Sequence, residues 1–389
     1  MRAGIGRALA LGAAGVALAA AAPAPPADLV GPPLPPYEDR WGVVTFLGRE
    51  VRPGEKTQTF VWAGESFAGT SIETPALIVR GDRPGPTLCL TAGIHGDELI
   101  GIEIARQAFV ATDSRGLGGM VIALPVVNLH GFRRSSRYLP DRRDLNRFFP
   151  GHPSGSTASR IAHTVFEGVI RYCDMVVDFH TGSFHRTNLP QIRVDLTRPD
   201  LLEVALGFGA GIVVHSVGPV GTLRRAATEI GVPALTYEAG EPMRFRHHEI
   251  AAGVDGVRRL MAHLGMRDEA AAPPASPQHV YRRSRWIRVD EGGIFLTDRA
   301  LGEVIAEGDF LGTVTDPISN ERSELYAPFG GRIIGMAFSQ VVIPGFAAFH
   351  VGVDGEPGLE EPDLEEPGDE PGGIADEPET DLDEDERPE

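Results

Sequence analysis

Residues 86–101 read PTLCLTAGIHGDELIG, and the parsing of this stretch decides the fold. Its first half, Thr87 to Ala92, is a short apolar run of the length expected for a buried strand. Gly93 and Gly96 then interrupt the run, and a helix is expected to open near Leu99. A strand that hands over to a helix is half of an α/β unit, and such sheets bind ligands just beyond the carboxyl ends of their strands. His95 and Glu98 stand there, three residues apart. On the residues alone two readings stay open. The pair could ligate a metal, or Asp97 and Glu98 could simply favour the positive end of a new helix. In a chain with 12 histidines and 54 acidic residues, roughly two His-x-x-acid pairs arise by chance, so the pair needs company.

Outward from this stretch the same grammar repeats. The runs TPALIVRG (74–81), GMVIALPVVN (119–128), DMVVDFHT (174–181), GIVVHS (211–216) and PALTYEAG (233–240) read as short strands. Between them lie helical patterns at 157–173 and 221–231. A last helix at 247–266 puts Ile250, Val254, Val257, Leu260, Met261 and Leu264 on one face. The expectation is an α/β fold, a mixed sheet with helices on both faces, occupying residues 41–268. Residues 269–279 are a linker by composition. Beyond it, residues 280–354 read as many short strands with glycine turns, a small all-β barrel or sandwich module.

The ends have their own character. Residues 1–24 carry Arg2 and Arg7 ahead of an apolar core and small residues, the pattern of a cleavable export signal, so the protein is expected to be periplasmic or secreted. The apolar core is short of the roughly 20 residues a spanning helix needs, so no membrane span is expected once the signal is removed. Residues 25–40 are a proline-rich spacer. Residues 355–389 hold seventeen acidic residues against Arg387 alone, and so carry nearly all of the net charge of -18. Their composition is that of a disordered tail. The body is close to neutral and has no basic block, which excludes nucleic acid as a partner. Oligomeric state is unknown from sequence. Cys89 and Cys173 fall in apolar runs and read as small buried hydrophobes, with a mutual disulfide as the alternative.

Three further segments give His95 and Glu98 their company. His180 ends the strand MVVDFHTG, and with His95 and Glu98 it would make a His2Glu set. Three protein ligands with one open position are the mark of a catalytic zinc, whereas structural zinc takes four and favours cysteine. Glu238 ends the strand PALTYEAG and is a candidate proton acceptor. Glu241, past Gly240, reads as a surface residue. The arginine-rich loop RRSSRYLPDRRDLNRFFPG (133–151) carries Arg137, Asp144, Asn146 and Arg147. A carboxylate such as Asp144 suits the outer nitrogen of a metal-bound imidazole. Arg147 suits bidentate capture of a substrate carboxylate. Asn188, Gln191 and Arg193 are candidates for pocket walls, and His185, His247 and His248 read as rim or surface groups.

Taken in order, HGDE, then RRSSRY with DLNRFFPG, then DFHTG, then YEAG, the chain resembles the succinylglutamate desuccinylase/aspartoacylase family of the zinc carboxypeptidase superfamily, over about residues 70–350. The resemblance implies one zinc ion per chain on His95, Glu98 and His180. It also implies Glu238 as general base and acid, Arg137 polarising the scissile carbonyl, and Asn146 with Arg147 holding a substrate carboxylate. Asp144 would be the partner of His95. Five residues separate Tyr138 from Asp144, more than in aspartoacylase, which keeps Arg133, Arg134, Arg142 and Arg143 open as alternatives to Arg137.

The C-terminal module resembles biotinyl/lipoyl-type domains. The sole lysine of the chain is Lys56, so prosthetic-group carriage is excluded, and a role in limiting substrate size is expected instead. The activity implied is hydrolysis of an amide bond in an N-acyl amino acid or a small peptide-like compound. A zinc-activated water would attack with Glu238 as proton carrier. Two rivals stand beside it: an exported metallocarboxypeptidase or cell-wall-peptide amidase, and a binding protein that has lost catalysis on this scaffold.

Overall fold

The computed structural model describes residues 42–65, 69, 71–270 and 272–354. The signal, the proline-rich spacer and the acidic tail expected from sequence lie outside these residues. Chain order begins with a small hairpin, β1 (Val44–Phe46) and β2 (Arg49–Val51), followed by β3 (Lys56–Glu65), β4 (Ser71–Arg80) and β5 (Arg83–Ala92). Then come α1 (Leu99–Ala111), β6 (Gly118–Leu124), α2 (Leu129–Arg133) and α3 (Thr157–Gly168). The middle of the chain holds β7 (Met175–His180), β8 (Arg186–Val194), α4 (Pro199–Phe208), β9 (Ile212–His215), α5 (Leu223–Glu229), β10 (Ala234–Gly240) and α6 (His247–His263). The rest is strand: β11 (His279–Tyr281), β12 (Arg283–Arg288), β13 (Gly293–Leu296), β14 (Val304–Ile305) and β15 (Phe310–Thr315). It ends with β16 (Arg322–Tyr326), β17 (Gly331–Ala337), β18 (Gln340–Val342) and β19 (Ala347–Val353).

A large mixed sheet runs β12-β19-β17-β8-β10-β7-β5-β6-β4-β3. Its centre, β10-β7-β5-β6, is parallel, and the strands flanking that centre pair with it antiparallel. Alternation along the central strands splits the core in two. Leu88, Leu90 and Ala92 of β5 and Val177 and Phe179 of β7 pack with α1, α4 and α6. Cys89 and Val176 point the other way, toward α3 and α5. Both faces are covered, which is why these strands read as nearly continuous apolar runs. The predicted seam of α6 is buried at Ile250, Val254, Val257, Leu260 and Met261, with Leu264 packed at its edge.

The C-terminal residues do more than form a satellite. Strands β12, β17 and β19 extend the main sheet, with β17 pairing β8, and β11 pairs β9. Only β16-β15-β13-β18 make a separate sheet of four. Cys89 and Cys173 are joined in a disulfide with Cα atoms 5.8 Å apart. The favoured reading of two buried thiols therefore gives way to its alternative. The reason is topological: β5 and β7 are parallel neighbours, and the turn at Ile170–Tyr172 that leads into β7 leaves Cys173 beside β5, where the next amide, Asp174, donates to the Thr87 carbonyl at 2.9 Å. Among the described residues no helix is long and apolar enough to cross a membrane.

Candidate metal centre

The register of the parallel centre builds the site. Ala92 pairs with Phe179 and His180 with Glu238, so three strands end side by side. Just past β5 the chain turns sharply. Gly93 takes φ of +61°, a conformation that favours glycine. Gly96 lies so close to α2 that a Cβ there would sit 2.0 Å from the Gly131 carbonyl carbon. The turn closes by a bond from the Glu98 amide to the His95 carbonyl, 3.3 Å. Glu98 itself is non-helical (φ -91°, ψ 77°) and α1 starts only at Leu99. His95 and Glu98 thus meet across this tight turn, and not one helical turn apart as their spacing suggests.

His95, Glu98 and His180 come together and are buried. His95 Nδ1 is 2.8 Å from Glu98 Oε1, His180 Nδ1 is 2.9 Å from Glu98 Oε2, and the two Nδ1 atoms are 3.2 Å apart. Each imidazole turns its other nitrogen to a carboxylate. His95 Nε2 lies 3.0 Å from Asp144 Oδ1, and His180 Nε2 lies 2.8 Å from Asp178 Oδ2. Thr91 donates to the second oxygen of Asp178, fixing that carboxylate. Donating both Nε2–H groups outward leaves two Nδ1 lone pairs and a carboxylate facing one another, an arrangement that a cation satisfies. The donor set, two imidazoles and one carboxylate, suits zinc.

The electrostatics agree. Burial alone would keep the imidazoles neutral, yet Asp178 and Glu98 outweigh it at His180 and raise its pKa. At His95, burial and Arg137 oppose the proton, while Glu98 and Asp144 favour it more strongly. Burial disfavours the Glu98 carboxylate, but the two histidines hold it well below the usual carboxylate range. The cluster is a place that draws positive charge.

Arg137 is the arginine that reaches it. Its Nη1 lies 3.0 Å from His95 Nδ1 and 3.2 Å from Glu98 Oε1, and its Nη2 donates to Asp144 at 2.8 Å. Burial disfavours its charge, but Asp144 and Glu98 hold it on. Arg133, Arg134 and Arg142 are exposed, and Arg143 pairs with Asp141 away from the pocket. Asn146 and Arg147 line the same pocket as the cluster. Asn146 Oδ1 accepts from the Leu223 amide at 2.9 Å, which pins the loop to α5. Glu238 also lines the pocket, and its Oε2 accepts from Asn188 Nδ2 at 3.0 Å while Arg193 Nε stands 3.9 Å from Oε1.

Asn188 and Arg193 are therefore pocket walls, whereas Gln191 is buried outside it. His185, His247 and His248 are exposed. Glu241 is not the surface residue its turn position suggested. It is 2% exposed, accepting from Thr187 Oγ1 and from Arg246. Sequence reasoning missed the role of Asp178, although Asp-x-His on a strand puts both side chains on one face. It also missed Trp286 of β12, which lines the pocket from a strand 106 residues beyond His180 and has no local signal.

Comparison with known proteins matches residues 84–264 to the succinylglutamate desuccinylase/aspartoacylase catalytic domain. The chain is 26% identical over 264 residues to the N-alpha-acetyl-L-2,4-diaminobutyric acid deacetylase of Halomonas elongata, covering 65% of this chain and 76% of that protein. A solved succinylglutamate desuccinylase/aspartoacylase from Rhodobacter sphaeroides is similar at a TM-score of 0.70 and 24% identity, over 77% of this chain and 97% of its own. The product-bound ectoine utilization protein EutE (DoeB) from Ruegeria pomeroyi gives a TM-score of 0.71 at 24% identity, over 84% of this chain and 99% of its own. At those identities the solved structures speak to fold alone. The matched segment, residues 84–264, which carries His95, Glu98, His180 and Glu238, belongs to the succinylglutamate desuccinylase/aspartoacylase family.

Proposed function

We propose that the protein is a zinc-dependent deacylase that hydrolyses the amide bond of an N-acyl amino acid or a related small carboxylate. The observation that carries the reading is the convergence of His95 Nδ1, His180 Nδ1 and the Glu98 carboxylate, each imidazole backed by its own carboxylate. These three residues would hold one zinc ion. When bound, the ion supplies Lewis acidity and lowers the pKa of a water toward about 7.

The chain's own residues do the rest. Glu238 takes the proton of the attacking water and returns it to the leaving amine, with Asn188 orienting its carboxylate. Arg137, held by Asp144, offers positive charge to the carbonyl oxygen as that oxygen becomes anionic. Arg147 forms no ion pair with Asp or Glu within the described protein and lines the pocket beside Asn146, a position suited to a substrate carboxylate. The family and the deacetylase relative support amide hydrolysis on a small N-acyl amino acid. Export to the periplasm or beyond is part of the same proposal. It is supported by the composition of residues 1–24 and by the Cys89–Cys173 disulfide, a bond that persists in oxidising compartments.

The test is metal analysis of the purified protein together with a panel of N-acyl amino acids and short peptides. About one zinc per chain is expected, with turnover of N-acyl amino acids in preference to peptides. Glu238→Ala should keep the zinc and lose turnover. Activity surviving in Glu238→Ala moves the proton carrier elsewhere, and a protein that cleaves only peptides is a carboxypeptidase or peptide amidase instead.

A further inference from the structure

Between β7 and β8 the chain passes through Phe184 at φ +53° and His185 at φ +57°, two successive residues in the left-handed region. Among the described residues no other adjacent pair of non-glycine residues does so. A bulky side chain is strained there, and glycine or asparagine would sit more easily. The conformation is held from outside the loop. The Phe338 amide donates to the His185 carbonyl at 3.0 Å, and Gln340 Nε2 donates to the Phe184 and His185 carbonyls at 3.4 and 3.3 Å. Backbone strain maintained in this way beside a site points to a task for the side chain that incurs it.

What the ring meets shows the task. Arg137 Cζ lies over the Phe184 ring, 5.5 Å from its centroid, and Arg186 Cζ lies 5.7 Å from it. Ser183 and Arg186 line the pocket, whereas Phe184 stands off it and packs against the apolar cluster of the C-terminal strands. Arg137 is bonded through its Nη atoms, to His95, Glu98 and Asp144, and its Nε has no hydrogen-bond partner among the described residues. Contact with the ring adds a restraint of another kind, since a cation is drawn to an aromatic face.

We propose that Phe184 is a positioning residue that holds the Arg137 guanidinium where the carbonyl oxygen of the substrate becomes anionic. The proposal rests on the deacylase reading above, in which Arg137 meets that oxygen. A charge aimed there in advance stabilises the transition state more than the bound substrate. Displacing such a group by about 1 Å can cost roughly 100-fold in rate. At a negative φ the ring would leave Arg137, which gives the strain its use.

The experiment compares the zinc-loaded full chain with Phe184→Asn, which suits the backbone but lacks the ring, and with Phe184→Tyr, which keeps it. On one N-acyl amino acid, Phe184→Asn is expected to lower kcat roughly 10- to 100-fold and to leave KM within about threefold. Phe184→Tyr should recover to within about threefold of wild type. In an Arg137→Ala background Phe184→Asn should change kcat by less than about twofold, because the group it positions is gone. Zinc content and Tm report whether each variant is intact, and Phe184→Leu replaces the asparagine if it is not. An intact Phe184→Asn with wild-type kcat overturns the proposal, as does an equal loss in the two backgrounds. Crystal structures of the zinc-loaded wild type and Phe184→Asn give a readout without turnover. The Arg137 guanidinium should shift by at least about 1 Å or occupy two conformers, and an unmoved guanidinium overturns the proposal. A wild type that turns over no N-acyl amino acid refutes the deacylase reading, while the place of the guanidinium still judges Phe184.

Discussion

His95 Nδ1 and His180 Nδ1 stand 3.2 Å apart, each with its other ring nitrogen on a carboxylate. Two lone pairs brought this close repel, and a proton or a metal ion held between them and Glu98 relieves the repulsion. Zinc should therefore bind the folded chain and not the unfolded one, and raise Tm by mass action. His180→Ala should lose that zinc-dependent rise and bind well under one zinc per chain. A His180→Ala protein that retains a full zinc would place the metal elsewhere.

Asp178 accepts from His180 and from Thr91, so it fixes both the tautomer and the orientation of the His180 imidazole. Asp178→Asn removes the charge while keeping the shape. Zinc affinity should fall roughly 10- to 100-fold, measured by competition with a chromogenic chelator. Thr91→Val, one contact further out, should cost less than Asp178→Asn.

Arg147 is the arginine assigned to the substrate carboxylate. Arg147→Ala should raise KM by roughly 10- to 100-fold and leave kcat within a few-fold, the pattern of lost ground-state binding. Arg147→Lys should recover only part of the loss, because an ammonium lacks the planar fork of a guanidinium. Steady-state kinetics on one N-acyl amino acid decides between these outcomes.

Glu249 is buried under β10 at 6% exposure, and its Oε2 has no hydrogen-bond partner. Burial, aided by Glu241 and opposed by His248 and Arg246, raises its pKa above the ordinary glutamate value. With the folded pKa above the unfolded one, the native state holds the extra proton. The group's contribution is full below the unfolded pKa and is lost as pH rises through the folded value. Glu249→Gln should then raise Tm at pH 8 and make little difference at pH 4, as thermal melts across that range would reveal.

Much of this molecule is legible along the chain. The short apolar runs ending at Ala92, His180 and Gly240 become β5, β7 and β10, because strands buried on both faces have no polar alternation to hide them. β8 is a harder case: Arg186, Asn188 and Arg193 interrupt its apolar pattern because they line the pocket, and Gln191 interrupts it again while buried outside the pocket. The Cys89–Cys173 bond was not legible, because adjacency of β5 and β7 is a matter of sheet order that neither segment encodes locally. Glu241 failed for a related reason. A carboxylate past a turn looks solvated until Thr187 and Arg246 arrive from elsewhere to bury it.

By itself the sequence determined the strand and helix types, the ends at which ligating residues would stand, and the residue chemistry offered there: two imidazoles, carboxylates and arginines. Those are local properties, set by periodicity, glycine placement and side-chain identity. The tertiary structure alone decided that Arg137 and not its neighbours meets the cluster, that Asp178 backs His180, and that Trp286 walls the pocket. Each of those depends on register between strands far apart in the chain, where a shift of one residue would turn the side chain to the opposite face.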